Sequence, residues 1–419
     1  MNYRIFPPKE MIETEVALPL SKSLSNRALI MNALTLGAPA LTQVAQCDDT
    51  DVMVKALANR DATEINIGAA GTAMRFLTAY YAAIPGRTVV IDGSERMRQR
   101  PIGPLVEALR SIGASVEYVE KEGFPPLRIT GARLKGGEIT MPANISSQFL
   151  SAILMIAPLT MTGLTLHLDG EITSLPYLKM TLAMMRERGI DCELQGDTIT
   201  VTAGEYQPCA TPIEADWSAA SYWYQIAAMS SGWVELDGLQ PNSLQGDSRL
   251  VSIFEKLGIL TELADGKASL QPSPEQSPRL ELDLSEQPDI VQTLAVTCCC
   301  LTIPFRFWGL HTLRIKETDR LEALRVELLK LGMIVTIEGD DCMWWEGQFT
   351  QITKVPEFDT YNDHRMAMAF APISLFVPGI VIRDAEVVSK SYPQYWQHLA
   401  NAGFMIAYAD EQSKPTVQE

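Results

Sequence analysis

Basic residues are in deficit in this 419-residue chain: 34 Lys and Arg face 51 Asp and Glu, for a formal net charge of −17 and an isoelectric point near 4.8. That balance excludes a broad nucleic-acid or anionic-membrane surface, and any site for anions has to gather scarce cations locally. Cysteines with metal-ligand spacing are also missing. Of the seven, Cys298, Cys299 and Cys300 are consecutive inside an apolar run and read as buried thiols of a reducing compartment. No GxxxxGK[ST] loop occurs, which argues against an ATP-dependent kinase. The start, MNYRIFPPKEMIETE, lacks the apolar stretch of a secretory signal, so a cytoplasmic location is expected. Uncharged runs long enough to suggest a membrane span occur at 139–168 and 366–382. Pro142, Pro158 and Gly163 break the first, Pro372 and Pro378 the second, and both read as buried helix plus strand.

What is present is a repeat. With 47% apolar and 20% charged residues the composition is that of a globular protein, and the length points to two domains. Five segments share an amphipathic helix, a glycine and a strand-like run: LVEALRSIGASVEY, TLAMMRERGIDCEL, LVSIFEKLGILTEL, LRVELLKLGMIVTI and YWQHLANAGFMIAY. Their glycines, Gly113, Gly189, Gly258, Gly332 and Gly403, stand where a helix C-terminus needs a left-handed residue. DVMVKALANRDATEINI reads as a sixth, degenerate copy. Between the copies lie six helical segments of small and apolar residues, beginning near Ser23, Gly71, Ser146, Asp216, Asp289 and Asp363. Their all-round apolarity predicts burial, and the mixed polarity of the repeated helices predicts exposure. Six units of one buried helix, one surface helix and strands make an α/β protein, three units to each domain. If the buried helices of a domain run parallel, their N-termini form a face that attracts anions.

Polar and basic residues cluster at those helix starts. Lys22, Ser23 and Arg27 in SKSLSNR combine an ammonium, hydroxyls and a guanidinium, the makings of a phosphate or carboxylate site, with simple helix capping as the plain alternative. Gly71 in GAAGTAMR permits close approach to backbone N–H groups, and packing of small residues is its plain alternative. Arg96, Arg98 and Arg100 precede another helix and equally read as a charge run. Ser146, Ser147 and Gln148 suit a hydroxylated, phosphorylated ligand or serve as an ordinary cap. RIKETDRL brings Lys316, Glu317 and Arg320 within one turn, with Thr318 or Asp319 as cap; a carboxylate among cations there can exchange a proton. In YNDHRMAM, Asp363 caps and Arg365 enters a buried helix, which is costly unless an anion meets it. Lys390 in SKSYP stands at a strand end. Asp289 heads a buried helix as a cap or a general base.

LPLSKSLSNRAL, AAGTAMR, RPIG, SSQFLSA, RIKETDRL, YNDHRMAM and SKSYP, in that order along essentially the whole chain, resemble the 5-enolpyruvylshikimate-3-phosphate synthase family. The resemblance implies an enolpyruvyltransferase-like α/β fold of two domains, each of three repeated βαβαββ units with buried parallel helices. The domains are expected at 20–214 and at 1–19 plus 215–419, with the active site in the cleft between them. It implies transfer of the enolpyruvyl group of phosphoenolpyruvate to the 5-hydroxyl of shikimate 3-phosphate with release of phosphate. No metal or organic cofactor, no nucleic-acid or membrane partner, and a monomer are implied. Shikimate 3-phosphate would meet Lys22, Ser23, Arg27, Ser146, Ser147, Gln148, Ser174, Tyr177, Asp289 and Lys316. Phosphoenolpyruvate would meet Lys22, Gly71, Arg100, Gln148, Arg320, Arg365 and Lys390. Asp289, Glu317 and Lys22 would be catalytic, Asp289 taking the 5-hydroxyl proton and Glu317 exchanging a proton at the methylene carbon. The chain departs from the family pattern at Leu20, Ala69, Phe76 and Thr312, in place of glycine, asparagine, proline and asparagine. The alternatives are a UDP-N-acetylglucosamine enolpyruvyltransferase, for which no cysteine in a Gly-rich loop is present, and a non-catalytic anion-binding relative.

Overall fold

The computed structural model describes residues 1–59, 61–144, 146–170, 172–210 and 212–409; the last ten residues of the expected second domain lie outside them. The chain divides into two compact units. One, the N-terminal unit, comprises Leu20–Glu214 with Leu244–Gly246; the other, the C-terminal unit, comprises Met1–Pro19, Ala215–Ser243 and the chain from Asp247 on.

Three buried helices form the centre of the N-terminal unit: α1 (Lys22–Leu34), α2 (Gly71–Ala82) and α3 (Ser147–Ile156). One side chain ties them together. Arg27, sixth residue of α1, donates to the Ser151 hydroxyl at 3.0 Å, and its guanidinium lies 5.4 Å from the Phe76 ring centre. Ser151 and Phe76 stand midway along α3 and α2, as Arg27 does along α1, so the three helices meet at mid-length, and the hydrogen bond between Gln148 and Thr72, second residues of α3 and α2, sets the starts of those two side by side. Two four-stranded sheets flank them. In the first, Glu64–Asn66 pairs parallel to Thr88–Asp92, which pairs antiparallel to Leu127–Thr130, with Ser115–Tyr118 outside. The second, made from Gly137–Pro142, Leu164–Asp169, Cys192–Gln195 and Thr198–Val201, repeats that order.

The C-terminal unit is built the same way around α4 (Trp217–Ser230), α5 (Val291–Cys300) and α6 (His364–Phe370). The Ser221 and Thr293 hydroxyls bond at 3.1 Å and Gln225 donates to the Ala369 carbonyl at 3.0 Å, again joining residues of similar depth. Three sheets surround these helices, each with one parallel and two antiparallel pairings in the same succession. The first strands of the chain complete two of them: Glu13–Ala17 runs parallel to Trp233–Asp237, and Tyr3–Phe6 lies antiparallel to Ile380–Ile382. Each unit has its own apolar core.

Five four-stranded sheets are present among the described residues for the six repeated units. The degenerate copy supplies a helix, Asp48–Ala58, but the stretch before it, TLGAPALTQVAQ, forms turns and loop. Gly37 and Pro39 interrupt any strand-like alternation there. The repeat glycines take φ between 77° and 100°. At Gly332 a side chain is excluded twice over, since a Cβ would also lie 2.1 Å from the Thr350 carbonyl oxygen. The two uncharged runs resolve into helices α3 and α6 with neighbouring strands, and no helix among the described residues is long and apolar enough to cross a membrane.

Candidate active-site clusters

At the start of α1 the Ser21 hydroxyl accepts from the Leu24 amide, so capping falls to Ser21 and leaves Lys22 and Ser23 in the first turn. Lys22 Nζ lies 3.1 Å from Asp49 Oδ2, a carboxylate 4% exposed in the first turn of Asp48–Ala58. Asp49 escaped the sequence reading because its acidic run, DDTD, resembles an ordinary helix start. Arg27 is buried, and its Nε donates to the Thr181 hydroxyl at 2.8 Å while its Nη atoms reach the Ser23 carbonyl, the Ser151 hydroxyl and the Tyr177 carbonyl. These partners are neutral. Burial therefore lowers its pKa to about 10, and the guanidinium remains a cation with no carboxylate among its contacts from the described residues. Phe76, where the family has proline, lets α2 continue unbroken and supplies the ring over that guanidinium.

Gly71 is the first residue of α2, and no side chain caps that helix. A Cβ built on it would lie 2.6 Å from Arg100 Nη1 and 3.1 Å from Arg75 Nη1, so two buried guanidiniums stand at the helix start. Arg75, which the sequence reading quoted without a role, donates to the Gly71 carbonyl at 3.0 Å. The charge run thus splits: Arg100 turns inward, whereas Arg98 pairs with Asp92 and Glu120. Ser146 caps α3, Ser147 is buried, and Gln148 donates to the Thr72 hydroxyl at 3.1 Å, tying the starts of α2 and α3 together. Ser174 takes the left-handed conformation (φ 56°) as the N-cap of Leu175–Arg186. One turn on, the Tyr177 ring centre lies 5.7 Å from the Arg27 guanidinium. Lys22, Ser23, Arg27, Gly71, Arg100, Ser146, Ser147, Gln148, Ser174 and Tyr177 accordingly all belong to the N-terminal unit, at or near starts of its helices.

The C-terminal unit assembles a denser network around Arg320, which is 1% exposed. Its Nε donates to Asp363 Oδ2 at 2.7 Å, Nη1 to Asp289 Oδ1 at 3.1 Å and Nη2 to Glu317 Oε2 at 3.0 Å. Burial alone would depress its pKa, but the three carboxylates outweigh it and hold the guanidinium charged. Asp289 also meets Arg365 Nη2 at 3.0 Å and Lys316 Nζ at 3.8 Å; Glu317 also meets Lys390 Nζ at 3.0 Å. Burial lowers the Lys316 pKa, with Asp289 opposing. Asp289 is not a helix cap, for Ile290 occupies the cap position of α5 and no side chain caps it. Asp319 caps Arg320–Lys330 and Asp363 caps α6, as their spacing predicts. Lys390 closes a 3-10 segment, Ala385–Lys390, instead of a strand. The Tyr222 hydroxyl, its pKa pushed up to about 12 by burial with Arg365 pulling the other way, backs the network from α4. Thr312, at a departure position, is 7% exposed and its hydroxyl has no hydrogen-bond partner among the described residues.

Four cations and three carboxylates thus meet in one unit of a strongly acidic chain, and in the other lies a buried arginine that meets only neutral groups among the described residues. Such a set has the charges to attract anions and the carboxylates to exchange protons. The family model described as EPSP synthase (3-phosphoshikimate 1-carboxyvinyltransferase) matches residues 57–399. The 3-phosphoshikimate 1-carboxyvinyltransferase of Bacteroides fragilis strain YCH46 is 49% identical over 98% of this chain and 100% of its own length. That of Sulfurovum sp. strain NBC37-1 is 36% identical over 95% and 99%. The solved EPSP synthase of Acinetobacter baumannii has the same fold, with a TM-score of 0.76 at 21% identity, covering 97% of this chain and all of that one. The chain belongs to the EPSP synthase family. It is a transferase of the shikimate pathway, with the two-unit α/β fold that the repeats predict.

Proposed function

We propose that the two clusters serve one reaction, transfer of the enolpyruvyl group from phosphoenolpyruvate to the 5-hydroxyl of shikimate 3-phosphate, giving 5-enolpyruvylshikimate 3-phosphate and phosphate. Ser23, Arg27, Ser146, Ser147, Gln148, Ser174 and Tyr177 hold shikimate 3-phosphate from the N-terminal unit, with Lys316 and Asp289 contributing from the C-terminal unit. Phosphoenolpyruvate is held by Lys22, Gly71, Arg100 and Gln148 on one side and by Arg320, Arg365 and Lys390 on the other. A proton enters at the methylene carbon, for which Glu317 is the exchanging group, and a cation-like centre develops at the neighbouring carbon. Asp289 takes the 5-hydroxyl proton as the oxygen adds there. Loss of a proton from the resulting methyl group and departure of phosphate then restore the double bond. Lys22 neutralises charge that develops on the phosphate side.

The observation that carries this reading is the position of the two carboxylates. Asp289 and Glu317 are each bound by cations from more than one segment, so each has a fixed place and a neighbour able to meet a substrate anion. Arg320 is mostly spent on carboxylates, and its part is to hold them as well as to face phosphoenolpyruvate. The family match and the near full-length relatives support the same reaction. We place the enzyme in the cytoplasm as a monomer; the free thiols of Cys47, Cys192, Cys298, Cys299, Cys300 and Cys342 support a reducing compartment. The test is phosphate release with both substrates and with each omitted in turn. Release that requires both is expected; no release by folded protein, or release from phosphoenolpyruvate alone, would overturn the reading.

A further inference from the structure

The turn that leads into α6 has an uncommon shape. Tyr361 and Asn362, consecutive and neither of them glycine, both take left-handed backbone conformations (φ 54° and 56°), which a tyrosine side chain disfavours. A contact has to hold them there, and the side chain placed to do so is Glu327. It lies two turns beyond Arg320 on one face of the helix Arg320–Lys330 and has no exposed surface. Its Oε1 accepts from the Tyr361 hydroxyl at 2.7 Å, while its Oε2 accepts from the Asp359 amide at 3.0 Å and meets Lys330 Nζ at 2.7 Å. Lys330 in turn donates to the Glu357 carbonyl and to Asp359 Oδ2, each at 2.9 Å. Burying a carboxylate is costly unless its oxygens are met, and those of Glu327 are met by this turn and by Lys330. Arg320 grips the far end of the turn through Asp363, whose amide returns to the Thr360 carbonyl at 2.8 Å. One helix face thus fastens the turn at Asp359, Tyr361 and Asp363, and just beyond stands Arg365, 3.0 Å from Asp289.

We propose that Glu327, acting through the Tyr361 hydroxyl, is a positioning residue for Arg365. The hydrogen bond keeps Tyr361 left-handed, the turn so held sets where α6 begins, and Arg365, the second residue of α6, is thereby aimed at Asp289 and at the phosphoenolpyruvate anion. This rests on the reading of Arg365 as a phosphoenolpyruvate ligand. Glu327 is buried and takes no part in the chemical step. Without the bond, Tyr361 relaxes toward the negative φ that its side chain prefers, and the guanidinium loses its fixed place. A displaced cation holds the anion less well.

The experiment is steady-state kinetics on Tyr361→Phe, Tyr361→Gly, Arg365→Met and the double variant Tyr361→Phe with Arg365→Met, each checked for folding by its urea midpoint. Tyr361→Phe loses only the hydroxyl, and its KM for phosphoenolpyruvate should rise about fivefold with kcat within about twofold of the wild type. Tyr361→Gly loses ring and hydroxyl together but needs no help to stay left-handed, so its KM should rise less, by about twofold. A role in packing alone gives the reverse order, or a lower urea midpoint with KM unchanged, and either result would overturn the proposal. Arg365→Met should raise KM by more than about tenfold, and adding Tyr361→Phe to it should raise KM no further. A further rise of about fivefold in the double variant would show that Tyr361 acts by a route other than Arg365, and the proposal would fall. An unchanged KM in folded Arg365→Met would overturn the phosphoenolpyruvate reading of Arg365 and the role that rests on it. An unchanged KM in Tyr361→Phe beside a raised one in Arg365→Met overturns the role alone.

Discussion

Replacing Arg320 with methionine removes the guanidinium at the centre of the C-terminal network while keeping a long apolar stem. Its consequences differ among the three carboxylates. Glu317 keeps Lys390 at 3.0 Å, and Asp289 keeps Arg365 at 3.0 Å and Lys316 at 3.8 Å. Asp363, with no exposed surface, loses contacts at 2.7 and 3.3 Å and keeps the Arg365 backbone amide at 3.0 Å. Breaking a buried ion pair from one side costs about 3–5 kcal/mol, and since a single carboxylate bears most of the loss here, about 3 kcal/mol is expected. Urea unfolding followed by tryptophan fluorescence measures it cleanly, because all seven tryptophans, from Trp217 to Trp396, lie in the C-terminal unit. With a slope of about 2–3 kcal/mol per molar, the midpoint should fall by about 1 M with the slope unchanged. Asp363→Asn keeps an acceptor at the cap of α6, so adding it to Arg320→Met should recover part of the loss. A midpoint shift below about 0.3 M, or no recovery in the double variant, would refute the claim that Arg320 neutralises a buried Asp363.

Gly71→Ala places a methyl group 2.6 Å from Arg100 Nη1, at the end of a flexible side chain, so the cation should move and the fold should stay. Steady-state kinetics should show a raised KM for phosphoenolpyruvate with a stability change below about 1 kcal/mol; an unchanged KM would remove Arg100 and the start of α2 from that site. Lys390→Met takes one cation from Glu317 and from the phosphoenolpyruvate side. Calorimetry should find shikimate 3-phosphate binding nearly unchanged while the KM for phosphoenolpyruvate rises and kcat falls; loss of shikimate 3-phosphate binding in the folded variant would show that the assignment of Lys390 is wrong.

Much of the architecture is legible because it is local. A helix stop is signalled by the residue that must turn left-handed there, and Gly113, Gly189, Gly258, Gly332 and Gly403 all do so. Caps obey the same logic: Ser21, Ser146, Asp216, Asp319 and Asp363 each accept an amide from the turn they precede. Burial of the six central helices follows from their all-round apolarity, and the position of most candidate residues at helix starts follows from those two facts together. The sixth copy holds for an equally local reason, with its helix at Asp48–Ala58 and its strand at Glu64–Asn66, while the stretch before it is loop.

The amino-acid sequence by itself determined the repeat, the helix ends, the family and the segments that carry the chemistry, because each depends on residues within a few positions of one another. Only the tertiary structure decided who neutralises whom. Arg320 meets Asp289, Glu317 and Asp363 from three separate segments, Lys22 meets Asp49, and Arg100 turns toward Gly71 while Arg98 turns away. A charge in a sequence has no partner and no dielectric around it. Both arise when packing removes water and brings distant segments within a few ångströms, so the charges could be counted beforehand but their pairings could not.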